Sequence, residues 1–385
     1  MRSTFLENDV TLLLKDITGL VEPLPTAERE KQIQNGVHYC EMLPIEYSPT
    51  KEYFAQYYYA LENFCGITAV AVKKVSEKIF AAKGKDTVIV SLARAGIPIG
   101  ILIKRYLKNK YGVDLPHYAI SIIRGMGIDD YAVRHILHLH DPKTLQFVDG
   151  WTGKGAIYKE LKKEILNYKN VDDSLAVLSD PAAISDKCGT REDFLIASSC
   201  LNSTICGLIS RTFYRKDIIG ANEFHGAAFY GELTSKDHTY EFIDKIEAAF
   251  DYFDDEAGAR KVKEEAGPRE VKKEAGSCGV KEEAGDEAGS RKMKEVGDEA
   301  GLREVQKIAA HFGIGNINLI KPGVGETTRV LLRRVPDLVL IGETADKEQV
   351  RHIIRLAEEK NVTVEKYPLK NYNACGIIKN VAADI

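Results

Sequence analysis

The sequence predicts an α/β protein in which a parallel β-sheet carries helices on both faces and a smaller α/β/α sandwich follows at the C-terminus. Three observations carry this prediction. Strand-like and helix-like segments alternate through the large N-terminal part. A charged segment with repeated EAG triplets then interrupts the globular pattern at 254–301. A second, shorter alternation of helices and strands begins at residue 302.

In the large part, segments of helical spacing alternate with short β-rich runs that end at Gly, Pro or Asp residues. The predicted helices are 53–82, 100–112 and 156–168, and the predicted strands are 87–93, 117–125, 145–149 and 174–182. Strands that alternate with helices form parallel sheets, and ligands of such sheets bind at the carboxyl ends of the strands. The loops that follow the strands are therefore the first candidates for a functional site.

The C-terminal part repeats the pattern at a smaller scale. Helical spacing is found in REVQKIAAHFG, TTRVLLRR and DKEQVRHIIRLAEEKN, and strand-like runs in INLIKPG, DLVLIGE and VTVEKYPL. The segment between the two parts has no aromatic residue and few large apolar ones, so it cannot offset its ordering entropy by burial. We interpret it as a spacer. The predicted organisation is an N-terminal arm (1–30), a large domain (31–253), the EAG-repeat linker (254–301) and a small domain (302–385).

Composition restricts the class of protein. The formal net charge of the 385 residues is −4, so no global basic field indicates a nucleic-acid partner. The seven cysteines include no C-x-x-C pair, which argues against a disulfide framework and against a structural zinc site. The N-terminus lacks a signal-peptide core and no run is long and apolar enough to span a bilayer, so we expect a soluble, cytoplasmic protein.

Three strand-end loops carry residue types that bind anions. The first, SLARAGIPIG (91–100), places Arg94, Ala95 and Gly96 before a helix whose free N–H groups favour an anion. The second, IIRGMGIDDYAVRHI (122–136), carries Arg124 and Arg134 between glycines and acids, which is typical of a loop that closes over a substrate.

The third loop is LQFVDGWTGKGAI (145–157). Asp149 ends the strand, and the Gly-rich turn that follows carries Trp151, Thr152, Gly153, Lys154 and Gly155. Its backbone N–H groups, hydroxyl and ammonium group form a predicted oxyanion cradle, and Asp149 is a candidate ligand for ribose hydroxyls or Mg²⁺. The turn is neither a P-loop nor a dinucleotide-binding G-x-G-x-x-G motif.

Together the three loops resemble those of the type I phosphoribosyltransferases. The resemblance implies a pyrophosphate loop at Arg94–Gly96, a flexible loop from Arg124 to Arg134, and a ribose-phosphate turn at 149–155. It further implies phosphoribosyl pyrophosphate as substrate, Mg²⁺ as cofactor, and catalytic roles for Asp149, Arg124 and Arg134. Asp180 is a further catalytic candidate, because it ends a predicted strand of the sheet. The sequence departs from the pattern where Gly150 replaces the second acid, and this departure weakens the case for a transferase.

Five longer runs extend the comparison: GVHYCEMLPIEY, LARAGIPIG, FVDGWTGKGAI, CLNSTICGLISRTF and EFHGAAFYGEL. Together these runs resemble the bacterial StiP family, which occurs with tellurite-resistance stress genes. That family is described as phosphoribosyltransferase-like, although its name denotes a cysteine protease. A cysteine peptidase needs a thiolate, a histidine and an orienting group. The candidates are Cys200 or Cys188, with His225 or His38, and Asn202 or Asp180.

The C-terminal part resembles the Pelota-type RNA-binding domain. The resemblance implies RNA contacts at Lys321, Gly325, Glu326, Thr327 and Arg329. The basic excess is small, because residues 302–385 hold 13 Lys and Arg against 10 Asp and Glu. Our first functional hypothesis is therefore a phosphoribosyltransferase-like enzyme that also binds structured RNA, and a homodimer is the oligomeric state that we expect. The alternatives are a cysteine peptidase and a non-enzymatic nucleotide- or RNA-binding stress protein.

Overall fold

The structure is a computed structural model and describes residues 1–46, 49–252 and 300–381. The predicted EAG-repeat linker lies outside the described residues, apart from residues 300 and 301, which begin a helix. Among the described residues, no helix is long and apolar enough to cross a membrane.

The large part contains strands and helices in alternation. In chain order its strands are β1 (Thr11–Leu12), β2 (Lys15–Asp16), β3 (Val88–Ala93), β4 (His117–Ile123), β5 (Gly127–Ile128), β6 (Leu145–Trp151), β7 (Leu175–Ser179), β8 (Cys188–Thr190) and β9 (Gly226–Ala227). Its helices are α1 (Thr26–Gln34), α2 (Lys51–Lys83), α3 (Gly96–Tyr111), α4 (Asp130–Leu139), α5 (Ala156–Ile165) and α6 (Thr239–Ala248). The strands and helices predicted from spacing are confirmed within a few residues at their ends.

The main sheet has the order β1-β4-β3-β6-β7-β8, and all of these neighbours are parallel. Strand β5 pairs antiparallel with β4 at the edge. Helices α2 and α3 belong to one hydrophobic cluster, whereas α4 and α5 pack in another on the opposite face. The predicted parallel sheet with helices on both faces is confirmed. The strand order reverses between β3 and β6, which is where open α/β sheets form a ligand crevice.

The longest helix, α2, shows how local sequence sets its ends. The Thr50 hydroxyl accepts a hydrogen bond from the backbone N–H of Tyr53 at 3.1 Å and caps the first turn. Gly84 ends the helix with a positive φ of 65°, a conformation that glycine adopts without strain. Buried apolar residues run along the helix and face the sheet and α3.

The small part is a four-stranded sheet with helices on both faces. Its elements are α7 (Ala300–His311), β10 (Ile320–Pro322), α8 (Val324–Arg333), β11 (Pro336–Gly342), α9 (Lys347–Glu359), β12 (Thr363–Tyr367) and β13 (Ala374–Ile378). The strand order is β10-β13-β11-β12, and β13 runs antiparallel to both of its neighbours. The predicted sandwich architecture is observed. Strand β13 was missed, because five buried residues between polar turns give too short a pattern to recognise.

Candidate functional site: a cationic cleft between the two domains

The main candidate site is a cavity of about 270 Å³ between the large and small domains. The large domain contributes the end of β6 and the following turn, together with Tyr39, Arg124 and Arg211. The small domain contributes β10 and one face of α8. The cavity therefore lies at the carboxyl end of a central strand, where the topology predicts a ligand crevice.

The charge of the cavity wall is strongly unbalanced. Seven cationic side chains line it against two carboxylates, Asp149 and Glu326. The cationic residues are Arg124, Lys154, Arg211, Lys321, Arg329, Arg333 and Arg334. This local concentration contrasts with the net charge of −4 for the whole chain. A concave, half-buried surface with one predominant sign of charge attracts ligands of the opposite sign.

Helix α8 supplies three of these charged groups through its periodicity. Residues 326, 329 and 333 are three and four positions apart, so they share the face that points into the cavity. Glu326 forms an ion pair of 2.8 Å with Arg329, and the Arg329 guanidinium lies 4.4 Å from the ring centroid of Trp151. Arg333 donates a hydrogen bond to the side-chain oxygen of Asn202 at 2.5 Å. Helix α8 is thus attached to the large domain by polar and cation–π contacts.

The predicted oxyanion turn forms much of the interface with the small domain. Lys154 donates a hydrogen bond of 2.5 Å to the carbonyl oxygen of Ile317, and the Tyr372 hydroxyl donates to the carbonyl of Gly153 at 3.0 Å. Trp151 packs against Gly325, where an added Cβ would lie 2.4 Å from the indole ring. Thr152, Gly153, Lys154 and Gly155 nevertheless line the cavity.

Asp193 attaches the small domain by a different kind of contact. Its carboxylate accepts hydrogen bonds from the backbone N–H groups of Val324, at 3.0 Å, and Asn373, at 2.8 Å. Val324 is the first residue of α8, so a side chain of one domain occupies the N-terminus of a helix in the other. Burial raises the pKa of Asp193 to about 7.

Burial and like charges perturb the ionisable groups of the cavity. Burial, with Arg124 nearby, lowers the pKa of Lys321 to about 7 and that of Lys154 to about 8. Burial also lowers the pKa of Arg211 to about 10. Asp149 is affected in the opposite sense, because burial raises its pKa to about 6. The protein thus holds these cationic side chains at positions where burial disfavours their charged forms.

The magnesium site predicted at Asp149 does not fit these surroundings. The Asp149 carboxylate accepts a hydrogen bond from the backbone N–H of Gly150 at 2.8 Å, and the other cavity carboxylate, Glu326, is paired with Arg329. Among the described residues, no group of three or more His, Cys, Asp or Glu side chains could hold a metal ion. A divalent cation would also meet the repulsion of the cationic wall.

The structure places the first predicted loop outside the cavity. Arg94 is buried and forms an ion pair of 3.1 Å with Glu46, so its guanidinium already has a protein partner. Ala95 precedes α3, and Gly96 begins it against the backbone of β6, where an added Cβ would lie 2.5 Å from the Val148 carbonyl oxygen. This close approach of α3 to β6 explains why residue 96 is a glycine, and no ligand is needed to explain it.

The other predicted catalytic residues separate into two groups. Arg124 and Asp149 line the cavity, whereas Arg134 is exposed on α4 and pairs with Asp130 at 2.9 Å. Asp180 is fully buried and accepts hydrogen bonds from the Thr152 hydroxyl, at 2.6 Å, and from two backbone N–H groups, and it also contacts Arg191. These partners give Asp180 a structural role in holding the turn that carries Thr152.

The residues predicted to contact RNA lie at the domain interface. Lys321, Glu326 and Arg329 line the cavity, and Gly325 contacts Trp151. Thr327 is fully buried, and its hydroxyl donates to the Gly323 carbonyl within the small domain. The predicted RNA surface therefore faces the large domain.

The cysteines singled out from the sequence, Cys188 and Cys200, are buried. Burial raises the pKa of Cys200 to about 12 and also raises that of Cys188. His225 is hydrogen-bonded to the Ser121 hydroxyl at 2.9 Å, and Asn202 accepts from Arg333. In the described part of the chain, no hydrogen bond joins Cys188 or Cys200 to an imidazole.

A different thiol–imidazole pair lies beside the cavity. The Cys40 sulfur is 2.9 Å from Nδ1 of His38, and Nε2 of His38 is 3.1 Å from the carbonyl oxygen of Arg124. Tyr39, between them in sequence, lines the cavity, and Arg211 lies 4.3 Å from its ring centroid. His38 was among the bases predicted from the sequence, whereas Cys40 was not among the predicted nucleophiles. The sequence H-Y-C at 38–40 could have indicated Cys40, because the short 3-10 turn at Tyr39–Glu41 brings Cys40 into contact with His38.

The fold and site define an α/β protein with a thiol–imidazole pair and a cationic interdomain cleft. Comparison with known proteins gives the family. The family model "Tellurite-like stress resistance cysteine protease StiP" matches residues 3–247, and the "PELOTA RNA binding domain" matches residues 299–380. The "Cysteine protease StiP" of Acinetobacter baylyi is 32% identical over 369 residues, which are 92% of this chain and 88% of that protein. The chain belongs to the StiP family.

These findings correct the first functional hypothesis. Phosphoribosyl transfer and binding of phosphoribosyl pyrophosphate were wrong, because the family and the relative are both described as cysteine proteases. The cysteine peptidase alternative fits the comparisons better. The StiP and Pelota resemblances are confirmed, and the Pelota match supports RNA binding by the small domain.

Proposed function

We propose that the protein is a cysteine-dependent hydrolase in which Cys40 is the nucleophile and His38 the general base. The observation that carries this proposal is the distance of 2.9 Å between Cys40 Sγ and His38 Nδ1. It is the one thiol–imidazole hydrogen bond in the parts of the chain that the structure describes. The description of the family as a cysteine protease supports the same class of reaction.

The hydrogen bonds around His38 orient the imidazole for this role. Nε2 faces the Arg124 carbonyl oxygen, which accepts, so the proton of the neutral ring belongs on Nε2. Nδ1 then has a free lone pair, and it accepts from the Cys40 backbone N–H at 3.4 Å as well as from the thiol. A backbone carbonyl thus orients the base, where cysteine peptidases commonly use an amide or acid side chain.

The proposed reaction follows from this geometry. The thiol proton moves to Nδ1 of His38 as the sulfur attacks the carbonyl carbon of a peptide bond. The C–N bond then breaks, and the leaving amine takes the proton from Nδ1. Water, deprotonated by His38, attacks the resulting thioester, which releases the acid and returns the proton to the sulfur.

In this structure the Cys40–His38 pair is not accessible to a substrate. Cys40 is fully buried, and burial raises the pKa of its thiol to about 11. Burial also lowers the pKa of His38, so both shifts favour the neutral pair over the thiolate–imidazolium pair. Turnover therefore requires the segment that carries His38 and Cys40 to move and expose the sulfur.

Peptide hydrolysis with paired variants tests the proposal. We expect Cys40→Ser and His38→Asn to reduce turnover of a fluorogenic peptide library by roughly a thousandfold or more, as is typical for loss of a nucleophile or its base. Cys200→Ser is the matched control, because Cys200 is an equally buried thiol without an imidazole partner. Turnover that persists in Cys40→Ser but is lost in Cys200→Ser would contradict the assignment.

A second function, RNA binding, is favoured by the Pelota match and by the cationic residues of α8. We propose that the small domain binds RNA mainly through its phosphates. Affinity measured by fluorescence anisotropy should then fall steeply with salt concentration. Affinity that does not change with salt would rule this mode out.

Three finer sequence-based predictions stay proposals. A type I phosphoribosyltransferase-like sheet is supported by the parallel order and by the crevice between β3 and β6. A cytoplasmic location is supported by the unpaired cysteines among the described residues. Homodimer formation, the third, is checked by light scattering of the full chain.

A further inference from the structure

The cleft holds more cationic groups than the carboxylates of its wall can neutralise. No ion pair in the described part of the chain involves Lys321, Arg211 or Arg333, although all three line one cavity. Arg333 contacts the neutral side chain of Asn202, and Arg211 lies over the ring of Tyr39. Burying unpaired like charges together is costly, so a compensating group of negative charge is expected at this place.

The number and geometry of the cations favour a phosphate group. A terminal phosphate carries close to two charges and three strong acceptor oxygens, which several converging donors can share. Guanidinium groups match phosphate with parallel hydrogen bonds, and an ammonium group adds a point charge. Arg211 comes from the large domain and Lys321 and Arg333 from the small one, so both domains contribute donors to the cavity.

The size of the cavity restricts what carries the phosphate. A volume of about 270 Å³ is slightly below the range of about 300–1,000 Å³ that is usual for small-ligand sites, so the ligand group inside the cavity is no larger than about one nucleotide. The face of α8 that would lie along an RNA backbone is instead packed against Trp151 and Gly153. The indole Nε1 of Trp151 lines this region, is buried and has no hydrogen-bond partner among the described residues. It offers a donor to a sugar or base oxygen beside the phosphate.

We propose that the cleft binds the terminal phosphate of a nucleotide, either free or at the end of an RNA strand, between the two domains. This inference deepens the proposed RNA-binding function and rests on it only for the RNA source of the phosphate. The inference does not depend on the proposed hydrolase activity of Cys40 and His38. The ligand we propose is an end and not an internal stretch of RNA backbone, because a cavity of about 270 Å³ is small.

Equilibrium binding to the full chain tests the proposal. The probes are one short oligoribonucleotide in three forms, with a 5′-phosphate, with a 3′-phosphate and with hydroxyl groups at both ends, and adenosine monophosphate as the free nucleotide. We expect at least one phosphorylated end to bind about tenfold or more tightly than the hydroxyl form, since the phosphate gains several charge-assisted hydrogen bonds. Lys321→Gln and Arg333→Gln should each remove most of this preference.

Arg351→Gln is the matched control, because it makes the same change of charge on α9 of the same domain but outside the cleft, where Arg351 pairs with Glu348 and lies over the ring of Tyr59. It should leave the preference for a phosphorylated end unchanged. Adenosine monophosphate that binds as tightly as the oligonucleotide identifies a free nucleotide as the source, and binding of the oligonucleotide alone identifies an RNA end.

Two outcomes would overturn the inference. The first is equal affinity of the wild-type chain for phosphorylated and hydroxyl ends, which needs no variant to fold. The second is an equal loss in Arg351→Gln and Lys321→Gln, which would indicate general surface electrostatics. If RNA binds with a steep salt dependence but without preference for a phosphorylated end, the proposed phosphate site in the cleft is wrong. The proposed RNA binding by the small domain is then still supported.

Discussion

At the scale of single residues, Lys154 and Lys321 show most directly what the cleft is prepared to bind. Their pKa values, about 8 and about 7, are lowered because burial and the charge of Arg124 disfavour the ammonium form. An anion placed beside them acts in the opposite direction and raises both values. Ligand binding should therefore be coupled to proton uptake slightly above neutral pH.

Calorimetry can measure this coupling. At pH 8 we expect binding of adenosine monophosphate to take up about one proton, because both lysines are largely or partly neutral in the free protein and charged in the complex. The observed enthalpy should then depend on the ionisation enthalpy of the buffer. Glu326, Lys154 and Arg334 also act electrostatically on Lys321. Lys321→Gln should reduce the uptake, and a wild-type enthalpy that is the same in all buffers would contradict the coupling.

Cys40 gives a second prediction at this scale. Because burial raises its pKa to about 11, the thiolate is a very small fraction at pH 8. Alkylation of Cys40 in the native chain should be slow at pH 8, become faster as pH rises towards 11, and accelerate by about a hundredfold in urea. Mass spectrometry of iodoacetamide-treated protein measures this site by site. Rapid native labelling of Cys40 at neutral pH would show that the thiolate is already formed.

At the scale of elements, the turn after β6 has a role that its residue types alone did not reveal. Gly and Lys residues at a strand end are typical of an anion cradle, and the cavity does lie against this turn. The same turn also docks the small domain through Lys154 and Trp151. This second role depends on contacts with residues more than 160 positions away, which no local pattern encodes.

Gly325 provides the test of this docking. In Gly325→Ala the added Cβ would lie 2.4 Å from the Trp151 ring, so the two domains must shift apart. We expect a loss of about 1–3 kcal/mol in the free energy of unfolding, measured by urea denaturation. Gly315→Ala is the control, because a Cβ there meets no atom within 4 Å. Equal stability of the two variants would show that the contact between Trp151 and α8 contributes little.

Element boundaries were largely predictable, and the reason is visible in the helices. The long apolar period of α2 and the cap at Thr50 act locally, so spacing alone located the helix within a few residues. The partnership of Cys40 with His38 depends instead on a turn of three residues and on the distant Arg124 carbonyl. Spacing arguments detect periodic burial, and they do not detect irregular segments that long-range contacts hold in place.

At the scale of the whole molecule, the cleft makes stability depend on anions. Sulfate should raise the melting temperature more than chloride at equal ionic strength, because it binds the folded cleft and not the unfolded chain. We expect a difference of about a few degrees, measured by differential scanning fluorimetry. Arg333→Gln should abolish most of it, and Arg351→Gln should not. A wild-type chain that responds equally to both salts would contradict specific anion binding.

The domain contacts also affect how the protein can be taken apart. Asp193 in one domain accepts hydrogen bonds from the first residue of α8 in the other, and Arg334 pairs with Glu30 at 2.5 Å. These non-covalent contacts, and not the covalent connection between the two halves, then align the two domains. Residues 1–252 and 300–385, produced as two separate polypeptides in one cell, should reassemble and purify together. The protein would thus serve as a natural pair for fragment complementation, with the charged cleft restored only where the halves meet.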